Sequence, residues 1–274
     1  MITKLIFPLF ECLLMWLLIT TVATDDVNFI SVGVVKNRIK DHSIYADIIN
    51  HCKNPTLEIL DRITCAHETT HMINAELRNK LQKGRKINAF YLPKGNAFII
   101  DEPDMTKARV GEFIPKELRW KRYDTYIAQA RAWNDRPLYL VDEWDAYING
   151  GMVAVDDSIN HRHVQGWTDA VSGSLEFSVY CVAMCMAIEK YDNDYWEKND
   201  QLRNFMKWNL QRSLHTYNAG KDYQYFKWEE QEKYLREEKL GKYENRFLNS
   251  PSQGAENLRS FIREHFDGIW LNEK

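Results

Sequence analysis

His67-Glu68-Thr69-Thr70-His71 constrains this chain more than any other segment, because two imidazoles four residues apart share a partner only when the backbone between them is helical. On a helix both rings point to one side and can grip a single metal ion. Glu68, directly after the first ring, then lies where a carboxylate can take a proton from an activated water. Two core histidines satisfied by hydrogen bonds are the plain alternative, and the carboxylate between them favours the metal.

The flanks supply a helix for the motif. Leu57, Leu60, Ile63, Leu77 and Leu81 recur near helical spacing, Asn54-Pro55-Thr56 offers a cap with proline in the first turn, and Gly84 is a stop, which predicts a helix from about 55 to about 83. His67 and His71 continue the stripe of Leu60 and Ile63, so they face inward. Directly afterwards, Ile87 to Leu92 and Ala97 to Ile100 flank Pro93-Lys94-Gly95-Asn96, the pattern of a β-hairpin. Such a hairpin either offers an edge to an extended peptide or covers the helix.

A catalytic zinc takes three protein ligands and leaves a position for water, so a third ligand has to come from elsewhere. The segment Tyr139-Leu140-Val141-Asp142-Glu143-Trp144-Asp145-Ala146-Tyr147 supplies it on a helix that Arg136-Pro137 can open and Asn149-Gly150-Gly151 can end. Glu143 is the first candidate, with Asp142, Asp145 and His163 as alternates.

These residues carry a family resemblance. Uncharged Thr64-Cys65-Ala66 before the motif and Met72-Ile73 after it extend the match to zincin-type zinc peptidases over about ten positions. The long metzincin motif would need Gly at Asn74 and His at Leu77, and the aspzincin Gly-Thr-x-Asp is missing. Glu143-x-x-Ala146 resembles the ligand helix of gluzincins, where the small alanine admits the motif helix. The resemblance covers roughly residues 55–150 and implies an α+β, zincin-like fold, mainly helical with a small sheet beside the motif helix. It implies one Zn2+ per chain on His67, His71 and Glu143. It further implies hydrolysis of a peptide or protein substrate by a zinc-activated water, with Glu68 as general base. Tyr139 and Tyr147, one turn on either side of Glu143, are the candidates for stabilising the oxyanion, with His161 and His163 behind them. Thermolysin-like members carry an aspartate at the position of Tyr147 to orient the first histidine; here Asn74, Asp142 and Asp156 are candidates for that task. A zincin scaffold without turnover, or a hydrolase of a non-peptide amide, stays open on the same residues.

The N-terminus places the chemistry. Lys4, the apolar run Cys12 to Val22 and Thr21-Val22-Ala23 read as a signal peptide over residues 1–23, which predicts a secreted or periplasmic protein; uncleaved, the segment is a membrane anchor that faces the rest outward. Its removal leaves Cys52, Cys65, Cys181 and Cys185, from which at most one bridge is expected. A formal charge of −3 provides no basic footprint for nucleic acid. Residues 24–190 read as the catalytic domain and 191–274 as a helical part packed on it. Within them, Ser172 to Tyr191 reads as a central buried helix, and Lys221 to Tyr243 as a solvated helix with one aromatic stripe. Oligomeric state has no signal in the sequence.

Overall fold

Two side-chain caps start the first two helices. The Ser43 hydroxyl accepts from the Ala46 amide and opens α1, Ile44–His51; the Asp61 carboxylate accepts from the Ile63 and Thr64 amides and opens α2, Arg62–Leu81. The computed structural model describes residues 27–59, 61–129, 133–162, 169–223 and 240–271. It corrects the helix start expected near 55. Thr56 runs beside α2 instead of inside it, its hydroxyl 3.3 Å from that of Thr69, and Asp61 is the residue left free to cap. Leu60, the N-terminal segment 1–23 and most of the stretch Lys221 to Tyr243 lie outside the described residues.

The fold is α+β: mostly helical, with one three-stranded antiparallel sheet in the order β1-β3-β2. β1 is the short Ile30–Ser31, and the hairpin is β2, Ile87–Leu92, with β3, Asn96–Asp101, in a register that pairs Phe90 with Phe98. Gly95 is required in its turn. Its φ is +67°, and a β-carbon there would stand 2.7 Å from the Val32 carbonyl oxygen and 2.8 Å from His51 Nε2.

The outer edge of β2 is closed by asparagines. Asn74 Oδ1 accepts from the Tyr91 amide at 2.6 Å, Asn149 Nδ2 donates to the Tyr91 carbonyl at 3.0 Å, and Asn88 Oδ1 takes the Ala89 amide at 2.9 Å. With these three edge groups bonded and every residue buried, this strand packs against the motif helix.

The helix that carries Glu143 is α3, Tyr139–Ile159. It runs straight through Gly150-Gly151, where an end was expected. The pair serves packing instead. A β-carbon on Gly150 would meet the Ile63 carbonyl at 3.3 Å and His67 Cβ at 3.6 Å, and one on Gly151 would meet Thr216 at 2.8 Å. Small residues on α3 thus let α2 approach from one side and α6, Asp200–Gly220, from the other.

The next long helix is α4, Ala170–Tyr191. Its length and mean hydropathy of 1.6 would suit a membrane span, yet 94% of that window is buried inside the fold, as a central core helix requires. A short α5, Asn193–Lys198, links it to α6, and α7, Leu240–Asn249, and α8, Gln253–His265, follow. α6 packs on α3 and α4, and α8 packs on α4. Arg212 of α6 ties the layers by bonding Asp145 at 2.8 Å and also Asn149. Cys52, Cys65, Cys181 and Cys185 are buried free thiols.

The α3–α4 contact offers a test of this packing. A β-carbon at Gly173 would stand 2.2 Å from Tyr147 Cδ1, and that ring is wedged edge-on to His67 at 4.6 Å and stacked on Phe177 at 5.0 Å. Gly173→Ala is expected to destabilise the fold by ~1–3 kcal/mol through overpacking. At ~2–4 °C per kcal/mol the thermal midpoint should fall by several degrees, and an unchanged midpoint would show that the helices separate freely here.

Candidate metal centre

Three side chains from two helices converge. His67 and His71 stand one turn apart on α2, and α3 brings Glu143 against them, all partly or fully buried. The two Nε2 atoms are 3.1 Å apart; Glu143 Oε2 lies 3.4 Å from that of His71 and 3.8 Å from that of His67. Donors sharing one zinc at ~2.0–2.2 Å with near-tetrahedral angles sit about 3.3–3.5 Å from one another, and the three separations bracket that span.

The chemistry of the donors fits a cation as well as their spacing does. Glu143 Oε2 is buried with no hydrogen-bond partner among the described residues. An unsatisfied buried acceptor costs ~1–3 kcal/mol, more when charged, and a metal ion is the partner that would remove the cost. Its other oxygen is occupied: the Tyr139 hydroxyl donates to Oε1 at 2.5 Å.

Both rings are oriented from behind. The Ala146 backbone accepts from the His67 ring, and Asp142 Oδ2 stands 3.3 Å from His71 Nδ1, so each imidazole keeps Nε2 turned toward the shared point. Asp142 is itself held by Asn74 Nδ2 at 2.6 Å, and Asn74 is the residue that also caps the edge of β2. Asp142 therefore orients the second histidine. Asp156 is bonded to Arg162 and Asn160, more than three turns further along α3.

These surroundings split the two imidazoles. Burial holds the His67 ring well below its usual pKa, and the charges of His71 and Arg122 push the same way, so it is neutral and ready to donate a lone pair. Burial acts downward on His71 too, but the charge and hydrogen bond of Asp142, followed by those of Glu143, outweigh it and hold that ring well above the usual value. Without an ion, His71 keeps a proton beside Asp142.

The remaining candidates take other places. Glu68 is exposed on α2 beside His67, near enough to Tyr139 for its charge to help raise that phenol. Tyr147 packs against His67, with its hydroxyl bonded to Arg122 and Tyr126 and the Arg122 guanidinium 4.6 Å from its ring centre. Asp145 turns away to Arg212 on α6. His161 is exposed in the turn after α3, and His163 lies outside the described residues.

Two residues around the centre have no signal in the sequence. Arg122 lies within a short helical segment, Lys121–Tyr123, and is buried in bonds to Glu176 and Asp169. Lys107 is fully buried with its ammonium 5.0 Å from the Tyr139 ring centre; burial pushes its pKa down to about 8, opposed by the charge of Glu143. Each is brought in from a separate segment, and local spacing carries no trace of it.

No family model, no curated protein and no solved structure matches the chain. The geometry of the centre carries the functional argument by itself.

Proposed function

We propose that this chain is an exported, zinc-dependent metallopeptidase with a gluzincin-like arrangement of its site. The observation that carries the reading is the convergence of His67 Nε2, His71 Nε2 and an otherwise unpartnered Glu143 Oε2 at zinc-ligand separations, with a carboxylate, Glu68, next to the first ring. His67, His71 and Glu143 hold the ion. Bound zinc supplies Lewis acidity, which acidifies water and polarises an amide carbonyl.

The other residues move protons or hold groups in place. Glu68 accepts the proton of the attacking water on its carboxylate and returns it to the leaving amine. Asp142 and the Ala146 backbone keep the two rings aimed, and Arg122 anchors the Tyr147 phenol. For either tyrosine to donate to a developing oxyanion it has to exchange its present partner, Glu143 for Tyr139 and Arg122 or Tyr126 for Tyr147. The extracytoplasmic setting rests on the sequence of residues 1–23 alone.

The test is direct. Purified protein should contain one zinc per chain and should cleave a denatured protein extract in a way that a chelator stops and added zinc restores. One zinc with no cleavage of any peptide would support a binding scaffold, and an absence of zinc would end the metal reading.

A further inference from the structure

We infer that Tyr139 is a positioning residue that makes Glu143 a one-oxygen ligand, an inference that rests on the metal reading above. The two carboxylate oxygens are treated differently by the fold. Oε1 receives the Tyr139 hydroxyl at 2.5 Å, whereas Oε2 is buried with no hydrogen-bond partner among the described residues and faces both imidazoles, 3.4 Å from one Nε2 and 3.8 Å from the other. A short hydrogen bond to one oxygen of a carboxylate competes with an ion for that oxygen and leaves the other as the stronger donor. The coordination sphere then keeps room for water and the carbonyl of a substrate.

Helical spacing delivers the hydroxyl, and contacts from other segments hold it there. Tyr139 stands one helical turn before Glu143 on α3, so its ring lies along the same face as the carboxylate. That ring is clamped: the Trp133 indole stacks on it at 5.7 Å with the planes 8° apart, and the buried Lys107 ammonium lies 5.0 Å from its centre. Trp133 holds this position at a φ of +63°, a left-handed conformation that a bulky side chain seldom adopts, while remaining 41% exposed. Its indole also lies beneath the Arg78 guanidinium, 5.2 Å from the ring centre, so the strained residue is braced from α2. Strain of this kind persists where the surroundings over-determine it, and here they fix the orientation of a ligand-holding phenol.

The experiment uses the full chain loaded with Co2+ as a spectroscopic stand-in for zinc, comparing wild type with Tyr139→Phe, which removes the hydroxyl and keeps the stacked ring. Wild type should give the intense visible bands of a four-coordinate cobalt site. The variant should give weaker bands, as Glu143 binds through both oxygens and the coordination number rises, together with a 10–100-fold change in Co2+ affinity, about what loss of a partner behind a metal ligand produces. Trp133→Leu, at a partly exposed site, keeps the hydroxyl but removes its clamp and should shift the spectrum part of the way; it carries the test should Tyr139→Phe fail to fold. Cobalt spectra and affinities identical to wild type in the folded variants would overturn the role of Tyr139 and leave the metal site standing. Failure of wild type to bind Co2+ or Zn2+ would overturn the metal reading itself and this inference with it.

Discussion

Glu68→Gln is expected to keep its zinc and lose hydrolysis by about 10²–10⁴-fold, the range that a positioned general base contributes. The substitution preserves size and removes only the capacity to take a proton. Glu68 is exposed on α2 and is not among the three converging ligand groups, so neither the fold nor the metal content should change. Metal analysis together with kcat/KM on one cleaved peptide separates the outcomes. Hydrolysis within about tenfold of wild type would remove Glu68 from the mechanism. Loss of zinc along with activity would show instead that its carboxylate helps to hold the ion.

Glu143→Ala should abolish the response of the protein to zinc. For wild type, zinc at a hundred times its Kd adds ~2.7 kcal/mol to stability, which at ~2–4 °C per kcal/mol raises the thermal midpoint by ~5–10 °C. The variant keeps both histidines but lacks the buried anionic oxygen that faces them, and its midpoint should not move with zinc. An equal rise in both proteins would place the ion elsewhere.

The pH dependence of that response has a definite sign. In the ion-free protein Asp142 and Glu143 outweigh burial and hold a proton on His71 above the usual histidine range, whereas His67 is already neutral. Zinc has to displace the His71 proton, so apparent affinity should climb as pH rises through that elevated pKa and level off above it. An affinity that stays flat from about pH 6 upward would show that His71 is not a ligand.

The local part of this centre was legible along the chain, and the contacts behind it were not. Spacing within one helix places His67 and His71 on one face, and the same rule places Tyr139 one turn from Glu143. Asp142 and Asn74 were visible as candidates, but their pairing joins α2 to α3 across a packed interface. The expected limits of both helices failed for related reasons. Thr56 looked like a first-turn residue and instead bonds Thr69 from outside the helix; Gly150-Gly151 looked like a stop and instead admits Ile63 and His67 on one side and Thr216 on the other. Propensity ranks local options, and tertiary contact chooses among them.

By itself, the sequence determined which side chains can share a face and therefore that one helix offers two imidazoles and a carboxylate side by side. That is geometry of the α-helix, fixed within a few residues by hydrogen bonds between near neighbours. Only the tertiary structure decided that Glu143 meets those rings, that Tyr139 occupies one of its oxygens, and that Arg122, Lys107 and Trp133 surround them. The approaches of Glu143, Arg122 and Lys107 join segments far apart in the chain, and the first of them depends on glycines small enough to let helices touch, which no local period encodes.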